Sequence, residues 1–194
     1  MFKESISNED LTQMPLRWFE GEIVMVDSPF QVKQAVQELS GQESIGFDTE
    51  TKPSFKKGVV NKVALLQLST KDRAFLFRIN RIGLPREIIA LLSDENIKKP
   101  GVAIRDDIKG LQEFKKFKPA GFVELQDEAK DMGIQNFSLK KLAAIACGFR
   151  ISKGQQLTNW EADSLTEAQQ RYAATDAWAS LEIFESFQRI SYDV

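Results

Sequence analysis

Between residues 22 and 125, short apolar runs alternate with stretches of helical spacing, and few folds accept that alternation. Residues 22–27 (EIVMVD), 44–50 (SIGFDTE), 63–68 (VALLQL), 73–79 (RAFLFRI), 99–104 (KPGVAI) and 122–125 (FVEL) read as strands. After the first run, Ser28 and Pro29 suit an N-cap followed by a first helical residue. Val32, Ala35, Val36 and Leu39 then recur at helical spacing, and Gly41 stops the helix. Residues 69–72 suit a hairpin turn, and Pro85 opens a second helix carrying Ile88, Ile89, Leu91 and Leu92. A third helix follows the 99–104 run through Leu111 and Phe114. Beyond residue 125 the chain is helical, with one helix from Ser138 to just before Gly148 and a long one starting near Thr166, where Thr166 and Gln169 match a capping box. The expected architecture is α/β, with a mixed central sheet of five to six strands flanked by helices. Residues 1–20 are polar and uneven and read as an N-terminal arm with one helical turn before Pro15, leaving 21–194 as a single domain. A chain of 194 residues with 42% hydrophobic content can bury one good core.

Composition narrows the chemistry mainly through an absence: there is no histidine. That excludes Ser-His-Asp and Cys-His hydrolysis, histidine-ligated zinc and any histidine general base. The single cysteine, Cys147, follows the apolar run 142–146 and reads as small apolar filler, not as half of a disulfide or a zinc ligand. With a net charge of −2, no global positive field advertises nucleic acid, although an acidic metal site would offset a basic rim. The first ten residues lack the apolar stretch of a signal peptide, and no window is long and apolar enough for a membrane span. A soluble, cytoplasmic protein is expected, and nothing points to a protein partner.

The acidic residues form the pattern that carries chemistry. Asp48 and Glu50 are two apart on a presumed buried strand, so both side chains leave one face, where carboxylates are costly without a cation. Asp106 and Asp107 both follow the 99–104 strand, and either suits a helix N-cap. Capping is assigned to Asp106 and chemistry to Asp107, which stands directly before Ile108 at the start of the apolar stripe. Tyr172 and Asp176 are four apart within the last helix and share a face, and small residues at 173, 174 and 177 let that helix sit close to the sheet. Carboxylates converging from distant elements suit two hard divalent cations, Mg²⁺ or Mn²⁺, which can drive in-line phosphoryl displacement. Tyr172 would orient the attacking water, because a phenol is mostly protonated at neutral pH.

Taken together, residues 45–50 (IGFDTE), 101–107 (GVAIRDD) and 172–176 (YAATD) resemble the DEDD superfamily of 3′→5′ exonucleases, in its tyrosine-bearing branch. The Werner-type and ribonuclease D-type domains are the nearest groups. Residues 62–68, 138–142, 159–160 and 165–172 share that look, so the likeness spans roughly residues 22–190. The resemblance implies a ribonuclease H-like fold, two divalent metals held by Asp48, Glu50, Asp107 and Asp176, and stepwise release of nucleoside 5′-monophosphates from a nucleic acid with a free 3′ end. It favours Asp107 over Asp106, and the absence of histidine excludes the histidine branch. It also implies that the backbone of Thr49 meets the terminal nucleotide.

Lys56, Lys57 and Lys62 flank the first motif and Arg105 the second, as candidate phosphate contacts, with Ile108 beside them; Phe55 is a candidate for base stacking. The basic run 115–118 reads as a solvated helix end, and Trp160 as a structural anchor. DNA is the favoured substrate, RNA 3′-end processing the alternative, and an inactive nucleic-acid-binding module the third reading.

Overall fold

The structure, a computed structural model, describes residues 2–54, 58 and 61–192. Strands β1 (Glu22–Val26), β2 (Gly46–Thr51), β3 (Val63–Ser69) and β4 (Arg73–Phe77) form a sheet in the order β1-β4-β3-β2. Strand β3 runs antiparallel to both of its neighbours, while β1 is parallel to β4. The short parallel pair β5 (Lys99–Gly101) and β6 (Phe122–Glu124) continues this surface, because a parallel bridge joins Ser44 to Lys98 beside β2. Among the described residues, six strands thus make one mixed surface, with ladders within the group of four and within the pair, and the Ser44–Lys98 bridge between them. The third helix begins earlier than the sequence pattern suggests. Strand β5 ends at Gly101, where a side chain would meet the carbonyl oxygen of Phe47 at 2.8 Å, and the chain turns into a helix three residues later.

Strand alternation sends side chains to two different layers. Ile45 and Phe47 enter the larger apolar core beneath helices α2 (Pro29–Leu39), α4 (Arg86–Leu92) and α5 (Ile104–Gln112). Gly46, Asp48 and Glu50 face the opposite layer, occupied by the 26-residue helix α8 (Glu167–Tyr192). Short helices α1 (Asn8–Gln13), α3 (Ile79–Ile82) and α6 (Leu125–Asp131), and then α7 (Leu139–Cys147), complete the chain. Helix α8 starts at the expected capping box: the Gln169 amide donates to Thr166 Oγ1 at 3.2 Å and the Thr166 amide to Gln169 Oε1 at 3.0 Å. Trp160 is fully buried against Leu65, Leu76 and Ala173, as an anchor for the loop before α8.

The N-terminal arm is packed onto the domain. Ile6, Leu11 and Phe19 are buried, Arg150 bonds to the backbone of residues 14, 15 and 17, and the Phe19 amide donates to Thr175 Oγ1 at 3.0 Å. Cys147 is half-buried among apolar residues, which pushes its thiol up to about 12, in keeping with a filler role. Lys99, at the end of a strand that reads as ordinary, is fully buried; its ammonium donates to the carbonyls of Leu91, Asp94 and Ile97 and stitches α4 to β5. No helix among the described residues is long and apolar enough to cross a membrane.

Candidate active site

Helix α8 can deliver a carboxylate to the sheet because both surfaces are stripped of side chains where they meet. A Cβ on Gly46 would lie 1.9 Å from the carbonyl oxygen of Ala177, so only glycine allows this approach. Ala173, Ala174 and Ala177 are completely buried on the same face of α8. The result is a cluster of Asp48, Glu50 and Asp176, each of which offers one carboxylate oxygen within 4.8 Å of the other two. Tyr172, one turn before Asp176, lies beside its carboxylate and favours its charged form, and packs 6.0 Å from the Trp160 ring.

Asp107 approaches from the other side of β2. The intervening residue, Thr49, points away from the cluster; its hydroxyl donates to Asp107 Oδ1, while its amide donates to Asp48 Oδ1 at 2.9 Å. Asp107 is therefore joined to the cluster through Thr49 and stands outside the tight group of three. Its negative charge still raises the Asp48 and Glu50 carboxyls.

Asp106 does not cap α5. The helix starts at Ile104, so Asp106 is already inside the first turn, exposed and paired with Lys109 at 2.9 Å. The cap comes from a distant residue: Glu124 accepts from the Ala103 amide at 2.8 Å and the Ile104 amide at 2.9 Å. This clamp holds Ala103 in a left-handed conformation (φ 59°, ψ 36°), unfavourable for a residue with a Cβ, and sets the direction in which α5 carries Asp107.

Burial and mutual repulsion dominate the electrostatics. Desolvation, then the charges of Asp176, Glu50 and Asp107, holds the Asp48 carboxyl well above its ordinary value. Glu50 is pushed up to about 9 by burial and by Asp176 and Asp107. Asp176 rises to about 7 through burial, opposed by the Tyr172 hydroxyl and the charge of Lys153, and Asp107 rises to about 6 through burial, opposed by the Thr49 hydroxyl. The Tyr172 phenol is raised by burial and by Asp176 and Glu50, so it stays protonated across the neutral range. Among the described residues, none of the three clustered carboxylates has an ion-pair partner. An all-oxygen donor set, largely buried and with no ion-pair partner among the described residues, fits a hard divalent cation.

The cluster lines a cavity of about 240 Å³ whose opposite wall comes from α7 and the loop before α8, including Leu139, Ile151 and Lys153. No sequence pattern singled out Lys153, because a lysine in an irregular glycine-containing loop looks like any surface charge. Lys62, Arg105 and Ile108 do not line this cavity. Lys62 is exposed with its ammonium 5.6 Å from the Phe114 ring, Arg105 is exposed in the first turn of α5, and Ile108 packs towards the larger core. Phe55, Lys56 and Lys57 lie outside the described residues.

Residues 23–191 match the profile of a family described as 3′-5′ exonuclease. The chain belongs to this family. It is 34% identical over 89% of its length to the mouse bifunctional 3′-5′ exonuclease/ATP-dependent helicase WRN, covering 13% of that protein. A putative 3′-5′ exonuclease of Acanthamoeba polyphaga mimivirus is 31% identical over 85% of the chain, which spans 46% of the viral protein. Among solved structures, the Nibbler exonuclease domain of Aedes aegypti aligns with a TM-score of 0.79 and 25% identity, covering 92% of this chain and 93% of that one. Escherichia coli RNase D, at 20% identity and a TM-score of 0.77, shares the fold over 88% of this chain and 46% of its own. The architecture is that of the ribonuclease H-like exonuclease domains.

Proposed function

We propose that this chain hydrolyses phosphodiester bonds at the 3′ end of a nucleic acid strand and releases nucleoside 5′-monophosphates. The observation that carries the reading is the convergence of Asp48, Glu50 and Asp176 within 4.8 Å beside Tyr172, in a chain of the 3′-5′ exonuclease family. Asp48, Glu50 and Asp176, with Asp107 completing the set, would hold two divalent cations, Mg²⁺ or Mn²⁺, which when bound supply an activated water and neutralise charge on the leaving 3′ oxygen.

The protein's own groups do the positioning. Tyr172 keeps its proton at neutral pH and orients the attacking water as a hydrogen-bonding group, not as a strong base. Lys153 supplies the positive charge facing Asp176, where a non-bridging phosphate oxygen would sit. Leu139, Ile151 and Val102 form an apolar wall that shields the terminal sugar and base from water. Thr49 lines the cavity and would contact the terminal nucleotide, while Arg105, Lys62 and Ile108, which stand outside the cavity, would meet the nucleic acid on the α5 side.

DNA is the substrate this reading puts first, on the likeness to Werner-type domains, with a role in repair or end trimming; an RNA strand is the second substrate tested. The deciding assay incubates the protein with 5′-labelled single-stranded DNA, 3′-recessed duplex and RNA, in Mg²⁺, Mn²⁺ or chelator. A one-nucleotide ladder is expected that disappears in chelator and in Asp48→Ala or Asp107→Ala. Tyr172→Phe should slow cleavage by about 10²-fold or more while metal binding persists. Cleavage surviving both aspartate substitutions refutes the assignment.

A further inference from the structure

Tyr172 has a second side. One edge faces the acidic cavity, while the residue also lines a separate cleft of about 210 Å³, together with Ser152, which is likewise shared between the two. The outer walls of this cleft come from two unrelated parts of the chain. Arg171 and Thr175 belong to α8, and Arg17 and Trp18 belong to the N-terminal arm, which precedes the segment matched to the exonuclease family.

The arm is held in place here. The Arg17 amide donates to the Arg150 carbonyl at 2.9 Å, the Arg150 amide to the Pro15 carbonyl at 3.0 Å, and the Phe19 amide to Thr175 Oγ1. The ring of Phe19 is buried against Ala174 and Trp178. Between these fixed points, the backbone turns the Arg17 and Trp18 side chains outward. The Trp18 indole remains 43% exposed and Leu16, on the same cleft, 41%. Arg17 and Arg171 are exposed, and neither guanidinium forms an ion pair with a described residue. Among the described residues no acidic side chain lines the cleft, although it adjoins the cluster of Asp48, Glu50 and Asp176.

Unpaired guanidiniums flanking an exposed indole match the needs of a single-stranded nucleic acid, whose backbone is anionic and whose bases stack on flat aromatic surfaces. A 3′-terminal nucleotide in the acidic cavity would leave the strand passing the Tyr172–Ser152 divide, where the cleft begins. We propose that this cleft is a second nucleic-acid subsite, in which Arg17 and Arg171 bind phosphates and Trp18 stacks on a base of the nucleotides 5′ to the scissile bond. The proposal rests on the exonuclease reading for its direction along the strand, but the cleft's affinity can be measured without catalysis.

The test is fluorescence anisotropy of 5′-fluorescein-labelled (dT)12 and (rU)12 in EDTA across a salt series. Wild type is compared with Arg17→Ala/Arg171→Ala, Trp18→Ala and the charge-preserving Arg17→Lys/Arg171→Lys; Arg171→Ala alone, on an exposed helix face, guards against a folding defect in the double variant. Loss of two phosphate contacts should weaken binding about tenfold and flatten the slope of log K against log salt by about 1.4. The double lysine variant should restore the slope, and Trp18→Ala should weaken binding without changing it, because stacking releases no counter-ions. Unchanged affinity and slope in the double alanine variant overturn the proposal, as does failure of the wild type to bind either oligonucleotide. If the double variant weakens binding of thymidine or uridine monophosphate but leaves oligonucleotides unaffected, the cleft is a mononucleotide pocket and the strand assignment is overturned. A wild type that binds through this cleft yet shortens no strand in Mg²⁺ or Mn²⁺ refutes the exonuclease reading alone.

Discussion

Adding Mg²⁺ or Mn²⁺ to the metal-free protein at pH 7 is expected to eject protons, and the site's electrostatics set the number. Glu50, pushed up to about 9, holds nearly a full proton at that pH, and Asp176, raised to about 7, holds about half of one. Metal ligation needs both carboxylates ionised, so at least about 1.5 protons should leave per protein, and more if Asp48, held well above its ordinary value by burial and its neighbours, is protonated too. The same shifts set a pH dependence of stability. A carboxyl whose folded pKa lies above its unfolded value stabilises the fold fully below the unfolded value, near 4, and loses that contribution as pH rises through the folded value. The metal-free protein should therefore lose stability between about pH 4 and 9, from the unfolded value up through the folded values of Asp107, Asp176 and Glu50. Saturating metal should flatten that decline. Calorimetric titration in buffers of different ionisation enthalpy counts the protons, and thermal melts across the pH range report the stability. Release of fewer than about 0.5 protons at pH 7, or an equal release from Glu50→Gln, would contradict the assignment of these carboxyls as buried, proton-holding metal ligands.

Three substitutions probe how the fold aims the site. Gly46→Ala places a methyl against the Ala177 carbonyl, at 1.9 Å in the unrelaxed structure, so α8 must move outward; about 2–3 kcal/mol of stability and about 10²-fold in activity should be lost. Near-normal turnover by that variant would show that the glycine contact is not what sets the Asp48–Asp176 approach. Glu124→Ala removes both bonds to the α5 N-terminus and should cost about 1–2 kcal/mol in denaturant titration, with a larger fall in activity than Asp106→Ala produces. Ala103→Gly relieves a left-handed alanine and should stabilise the protein by about 1 kcal/mol; a destabilised variant would mean that the strain is not real.

Some of the site was legible because its information is local. Asp48 and Glu50 share a face through strand periodicity, and Tyr172 and Asp176 through helical spacing, so neither pairing needs knowledge of the rest of the chain. The capping box at Thr166 is likewise a contact between residues three apart. The α5 N-terminus was misread for the opposite reason. Its cap, Glu124, lies 20 residues downstream and reaches it only because β6 pairs with β5, whereas Asp106 merely stands close in sequence.

By itself, the amino-acid sequence determined the α/β alternation, the acids and tyrosine available for chemistry, and, by lacking histidine, the reactions that were out of reach. Periodicity and residue type suffice for those, since each is a property of a short segment. Only the tertiary structure decided that three of the carboxylates converge tightly while Asp107 is tied in through Thr49, that Lys153 faces Asp176, and that the N-terminal arm walls a cleft behind Tyr172. Those relations depend on how closely α8 settles onto β2 and where the arm is strapped down. They are set by steric contact between segments far apart in the chain, such as Gly46 against Ala177, and no local pattern encodes them.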